Sequence, residues 1–142
     1  MQLSELITGI RVNAGLSALG TDGALSAEAQ SWAESMAATD VLQHSPNLER
    51  LLKLGFDRAG ENVGRSGSSL ASIVDGFEAS PPHRENMHDP GWSSIGVGVA
   101  RTPDRQYVVV LFGARTPPPP PMVPRPLRRV RPISARLSLA GA

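Results

Sequence analysis

The chain has 142 residues and is 40 % hydrophobic, 19 % charged and 4 % aromatic, the balance of one globular domain with an aliphatic core. It contains no cysteine, which excludes disulfides, thiolate metal ligands and a cysteine nucleophile. The net charge of +1 conceals a division: five of the fourteen basic residues fall from Thr116 onward, where there is no acid, leaving nine against thirteen acidic side chains (net −4) in 1–115. A nucleic-acid-binding core is therefore not expected, and no apolar run approaches the roughly 20 residues of a membrane span. No signal peptide is visible ahead of the first helical pattern, so export and a cytoplasmic location both stay open at this point.

Leu3, Leu6, Ile7, Ile10 and Ala14 lie on one face of a helix that Gly15 should stop. Asp22-Gly23 reads as a turn. A second helix follows with Leu25, Ala29, Trp32, Ala33 and Met36 as its inner stripe, which makes Trp32 a core residue. Ser45-Pro46 reads as the start of a short helix through Leu48, Leu51 and Leu52 that ends near Gly55. Ala59–Ser68, with three glycines, reads as loop or irregular strand. Ser68 or Ser69 should cap a helix bearing Leu70, Ile73, Val74 and Phe77, and Ser80-Pro81 should open another through Met87.

After that the period changes. Ile95, Val97 and Val99 alternate with Gly96, Gly98 and Ala100, a strand packed closely on one side. Thr102–Arg105 turns, and the run Tyr107–Phe112 is a buried strand. Helices followed by a hairpin give an α+β class or an α-β-α sandwich. Eight of the 26 residues in 117–142 are proline and none is aromatic, so the domain should end near Arg115 and 116–142 should be a disordered Pro/Arg-rich tail.

Three histidines, His44, His83 and His88, are spread over the chain, and Glu61 lies between the first two in Gly60-Glu61-Asn62. These spacings match no zinc-helix signature and no nucleophile elbow. A histidine beside a helix cap is more often a hydrogen-bonding structural residue than a ligand. His88, before Asp89-Pro90, is expected at the surface. Asn62 and Ser45 are expected to satisfy backbone groups in their turns, Asn86 to fix the loop after its helix, Arg84 to be solvated, and Trp92 to pack at a sheet edge.

The order of motifs carries more. Leu3, Ile7, Arg11, Gly15, Leu16 and Leu19 are followed by Ala29-x-x-Trp32-Ala33-x-x-Met36. Next come His44-Ser45-Pro46, Gly60-Glu61-Asn62, Ser80-Pro-Pro-His83-Arg84-x-Asn86, Gly96-Val-Gly98-Val and a strand ending Phe112-Gly113. Over about residues 3–114 this resembles the bacterial CAP, or SCP, domain of cysteine-rich secretory proteins, antigen 5 and pathogenesis-related 1 proteins. The resemblance implies an α-β-α sandwich with a small antiparallel sheet and a cleft lined by two histidines and two acidic residues. His44, Glu61 and His83 take three of those places, and Ser80 stands at the fourth. It also implies an extracellular or cell-envelope setting.

Two neutral imidazoles and a carboxylate are three nitrogen and oxygen ligands that could hold zinc with one position open. The first functional expectation is a monomeric binding module holding a metal ion, a small molecule, a lipid or a cell-wall component in the His44/Glu61/Ser80/His83 cleft. The alternative is a hydrolase, with either a zinc-bound water attacking or Ser80 as nucleophile and His83 as base. The serine form is disfavoured here because Ser80 before Pro81 is explained as a helix cap. A third reading is an interaction protein docking through its Pro-rich tail.

Overall fold

A computed structural model describes residues 2–115 and 136–141. Five α-helices, α1 (Leu3–Asn13), α2 (Gly23–Thr39), α3 (Arg50–Lys53), α4 (Leu70–Ala79) and α5 (Pro81–His88), accompany five strands. The strands are β1 (Gly20–Thr21), β2 (Arg58–Ser66), β3 (Ser94–Arg101), β4 (Gln106–Ala114) and β5 (Arg136–Ala140). They form one sheet in the order β1-β3-β4-β2-β5. The centre of the sheet is antiparallel, while β1 joins β3 and β5 joins β2 in parallel. The expected small antiparallel sheet is thus a mixed one, because a short segment has been added in parallel at each edge.

The central strand explains the layering. Every residue of β4 is buried, as a continuous apolar run requires when both faces are covered. Val108, Val110, Phe112 and Ala114 point to a cluster that includes Leu3 and Ile7 of α1, Ile73 and Phe77 of α4, and Met87 of α5. Tyr107, Val109 and Leu111 point to the opposite cluster, with Leu25, Ala29, Ala33 and Met36 of α2 and Leu51 of α3. Period-2 alternation along one strand therefore sorts the helices into the two outer layers of an α-β-α sandwich.

α2 lies unusually close to the sheet. A Cβ added at Gly96 would overlap the backbone of Leu25 and Ser26, and one at Gly98 the backbone of Ala29. The valines of β3 face the other layer, so helix backbone rests directly on strand backbone.

Local departures from the sequence reading have simple causes. Asp22 is the N-cap of α2, its carboxylate accepting from Leu25 N–H at 2.9 Å, rather than part of a free turn. The Ser45-Pro46 helix is reduced to the four residues of α3, preceded by turns over 46–49. Ala59–Ser66 is regular strand, its glycines accommodated where α4 crosses: Gly64 lies against Ile73 and Phe77. Trp32 is only half-buried, its indole N–H donating to Gln43 O at 2.9 Å. Ser69 does cap α4, accepting from Ser72 N–H at 3.1 Å.

The expected domain end near Arg115 needs correction. Residues 136–140 form β5, paired with β2 from Arg58↔Arg136 to Asn62↔Ala140. The outer edge of β2 offers a row of backbone donors and acceptors that a short segment can satisfy whatever the composition before it. The reading of 116–135 as disordered tail lies outside the described residues.

Candidate functional site

The C-terminus of α2 is pinned before the chain reaches the first histidine. Asp40 takes a left-handed conformation (φ 55°) and accepts the hydroxyl proton of buried Tyr107. That hydrogen bond is the largest cause holding the Asp40 carboxyl below its ordinary pKa. The Trp32–Gln43 bond fixes the next segment, and His44 arrives beside β2 with its Nδ1 2.7 Å from Glu61 Oε1. A carboxylate only accepts, so His44 Nδ1–H is the donor, and Ser45 N–H donates to the same oxygen. Glu61 is wholly buried on the α2 face of the sheet, in a narrow crevice between Trp32, Leu48, Leu51 and Leu111. Burial pushes its pKa up, and the bonds from Ser45 and His44 push it back down.

Glu61 and Asn62 are consecutive in a strand, so they face opposite layers. Asn62 therefore meets α5, donating from Nδ2 to His83 O at 3.0 Å. Buried Asn86 donates from its own Nδ2 to Glu61 O (3.3 Å) and Asn62 Oδ1 (3.1 Å). The two asparagines stitch α5 onto β2: Asn62 serves α5 rather than its own turn, and Asn86 also holds the loop after its helix, its carbonyl accepting from Trp92 Nε1–H at 2.8 Å. His83 is held with its ring stacked on Phe77 (centroids 4.9 Å, planes 17° apart) and its Nδ1 2.8 Å from Ser80 Oγ.

That last contact overturns the reading of Ser80 as a committed cap. Ser80 occupies the N-cap position of α5, but its side chain makes no capping bond. Pro81 and Pro82 stand at the first two helical positions, so of the two amides that a cap would serve, those of the second and third helical residues, only that of His83 exists.

The site is thus two pairs, His44–Glu61 and Ser80–His83, seated on opposite faces of β2. His83's pKa is lowered, first by burial and also by the positive charge of nearby His44, against raising contributions from the backbone of Gly141 and Val63. Two buried side-chain atoms of the site, Glu61 Oε2 and His83 Nε2, make no hydrogen bond of normal geometry among the described residues. His83 and Ser80 line a groove with Leu42, Gly64, Arg65 and Phe77.

His88 is half-buried rather than at the open surface and stands apart from these pairs: its Nε2–H donates to Glu78 Oε1 at 2.7 Å, and Arg84 lies 3.7 Å from the same carboxylate. Trp92 is buried rather than at an open edge, stacked on Phe112 and covered by the Arg58 guanidinium, itself bridged to Asp89 at 2.5 Å. Arg11 was only one letter of the opening motif, yet it is fully buried. It donates to Ser17 O (3.0 Å), Met87 O (2.9 Å) and Asp89 O (2.8 Å), closing the end of α5. Its place on the Leu3/Ile7 stripe was the available signal.

Comparison with known proteins agrees with this architecture. Residues 5–112 match the family described as CAP, the cysteine-rich secretory protein family. The chain is 28 % identical over 101 residues to the uncharacterized protein YkwD of Bacillus subtilis, covering 66 % of this chain and 39 % of that one, so it spans about two-fifths of that relative's length. Its structure resembles an outer surface protein of Borrelia burgdorferi (TM-score 0.73, 25 % identity, 80 % of this chain and 90 % of that one). It is also similar to an extracellular protein of Bacillus anthracis containing an SCP domain (TM-score 0.71, 26 % identity, 80 % and 39 % covered).

Proposed function

The chain belongs to the cysteine-rich secretory protein (CAP) family, and from that premise we propose that it is a monomeric binding module of the cell exterior or envelope. Its ligand is a small polar molecule rich in hydroxyl and amide groups, the chemistry of cell-wall fragments. The observation that carries this reading is a wholly buried carboxylate oxygen, Glu61 Oε2, that has no hydrogen-bond partner among the described residues. A polar atom left dry and unbonded costs about 1–3 kcal/mol, a cost that a ligand bearing a donor for the carboxylate would remove. The setting is supported by the two structural relatives, one an outer surface protein and one extracellular. Among the described residues no helix is long and apolar enough to cross a membrane.

Zinc, which two imidazoles and a carboxylate suggest, fits less well. Glu61 Oε2 and the Nε2 atoms of His44 and His83 are chemically suitable donors, the Nδ1–H bond of His44 to Glu61 leaving the lone pair on its Nε2. Among the described residues no three His, Asp or Glu side chains are grouped to hold a metal ion. A hydrolase reading has one observation in its favour, the Ser80–His83 contact. The carboxylate that would orient the base is bonded to the other imidazole, so the parts of a triad are divided between two histidines.

Calorimetry with soluble muropeptides, beside zinc chloride, tests the binding reading on the parent chain, Glu61→Gln and His83→Ala. Muropeptide binding weakened at least tenfold by both substitutions supports it. Absence of binding at millimolar muropeptide, or binding that neither substitution alters, overturns it. One-to-one zinc binding lost in both variants would restore the metal site in its place.

A further inference from the structure

β5 covers only part of the strand it joins. Its register runs from Arg58↔Arg136 to Asn62↔Ala140, whereas β2 continues to Ser66. Beyond Asn62 the same edge of β2 becomes one wall of the groove that contains Leu42, Gly64, Arg65, Phe77, Ser80 and His83. The strand therefore runs along β2 and ends at the mouth of that groove, where the backbone of Gly141 meets His83.

The link to β4 is far longer than the fold needs. Arg58 pairs with Ala114 on one side and with Arg136 on the other, so the two ends to be joined are two strand spacings apart, about 10 Å. About three extended residues would span that distance, and the chain supplies residues 116–135. The seat is also selective at one position: Ala140 is fully buried, while Leu139 is 53 % exposed.

We propose that the outer edge of β2, with the groove continuing from it to His83, is a binding site for an extended peptide laid parallel to β2, and that residues 136–141 are its resident occupant. Backbone bonds to β2 give the affinity, and the buried place facing Asn62 demands a small residue, here Ala140 followed by Gly141. The chain's own strand thus competes with any incoming segment, which must be free of proline and carry a small residue at that place. This deepens the binding-module reading and rests on it.

The test uses the full chain and a double variant, Ser138→Pro with Leu139→Pro. Of two successive strand residues one turns its N–H toward the neighbouring strand, so the pair removes a ladder donor in either phase. A second variant, Ala140→Glu, unseats the strand without proline and serves if the first fails to fold. Hydrogen exchange is followed across residues 58–66, and a fluorescent peptide with the sequence of residues 134–142 is titrated by anisotropy. The expected result is faster exchange in the variants, peptide binding at least tenfold tighter than to the parent, and exchange slowed again by the peptide. Unchanged exchange, or faster exchange with no peptide binding, overturns the proposal. Muropeptide binding that persists in the latter case would leave the binding-module reading standing and remove only the peptide.

Discussion

Ser80 and His83 are hydrogen-bonded across the first turn of α5, Oγ to Nδ1, at 2.8 Å. A serine at a helix N-cap ordinarily accepts from the backbone, and its loss costs about 1 kcal/mol. Ser80 makes no such bond, so Ser80→Ala should leave stability nearly unchanged in urea unfolding. It should instead shift the imidazole nitrogen resonances of His83 while leaving those of His44 in place. A full cap-sized loss with an unmoved His83 spectrum would show that the hydroxyl serves the helix after all.

Arg11 should be the most sensitive polar residue in the core. Its guanidinium satisfies three carbonyls at once, two of them 76 and 78 residues away in sequence. Arg11→Ala removes charge-assisted bonds, strands the carbonyls at the end of α5 and opens a cavity. We expect about 3 kcal/mol or more to be lost in chemical denaturation. Arg11→Lys should recover part of this, since one ammonium cannot reach all three acceptors.

Glycines offer a matched pair of opposite sign. Gly98→Ala drives a methyl into the backbone of Ala29, which cannot swing aside as a side chain would, and about 1–3 kcal/mol should be lost. Gly9 is exposed inside α1 with nothing near its missing Cβ, so Gly9→Ala should gain about 0.5–1 kcal/mol. Thermal unfolding of the two variants should move in opposite directions.

The pH dependence of stability should carry the mark of His83. Its folded pKa lies below the ordinary 6.5, so between those two values the unfolded chain binds the proton more readily. Stability from this group is complete above about pH 6.5 and falls as pH drops through that window. Glu61 acts oppositely, because burial raises its pKa above 4.5; its contribution is complete below that value and is lost as pH rises through the folded one. The difference between parent and His83→Gln in urea midpoints from pH 5 to 7.5 isolates the first effect. A constant difference across that range would contradict it.

The parts of this fold that were legible in the sequence are those written in local period. The alternation of Gly96 and Gly98 with valines announced a strand packed closely on one side, and the run through Tyr107–Phe112 announced a buried strand. The motif order brought His44 and Glu61 to one place, where they are hydrogen-bonded. What was not legible depends on distant partners. Arg11 lies on the apolar stripe of α1, but the carbonyls that accept it belong to a helix end that no local pattern marks. Ser80 followed the capping rule in type and position, yet the rule does not weigh a histidine one turn later against two prolines that have no N–H to offer. β5 was hidden by the proline-rich segment before it, since its reason for being a strand is the open edge of β2.

The bare backbone of Gly96 and Gly98 acts as an index for the whole of α2. Leu25 and Ala29, which rest on these two glycines, are about 6 Å apart along the helix, close to the advance of two residues along β3. Helix and strand mesh like a rack, and α2 cannot slide by a fraction of a turn without collision. A slip of one full turn would carry its far end about 5.4 Å, twice the 2.7 Å that separates His44 from Glu61. The reach of His44 is therefore calibrated at the opposite end of the helix, by two side chains that are absent.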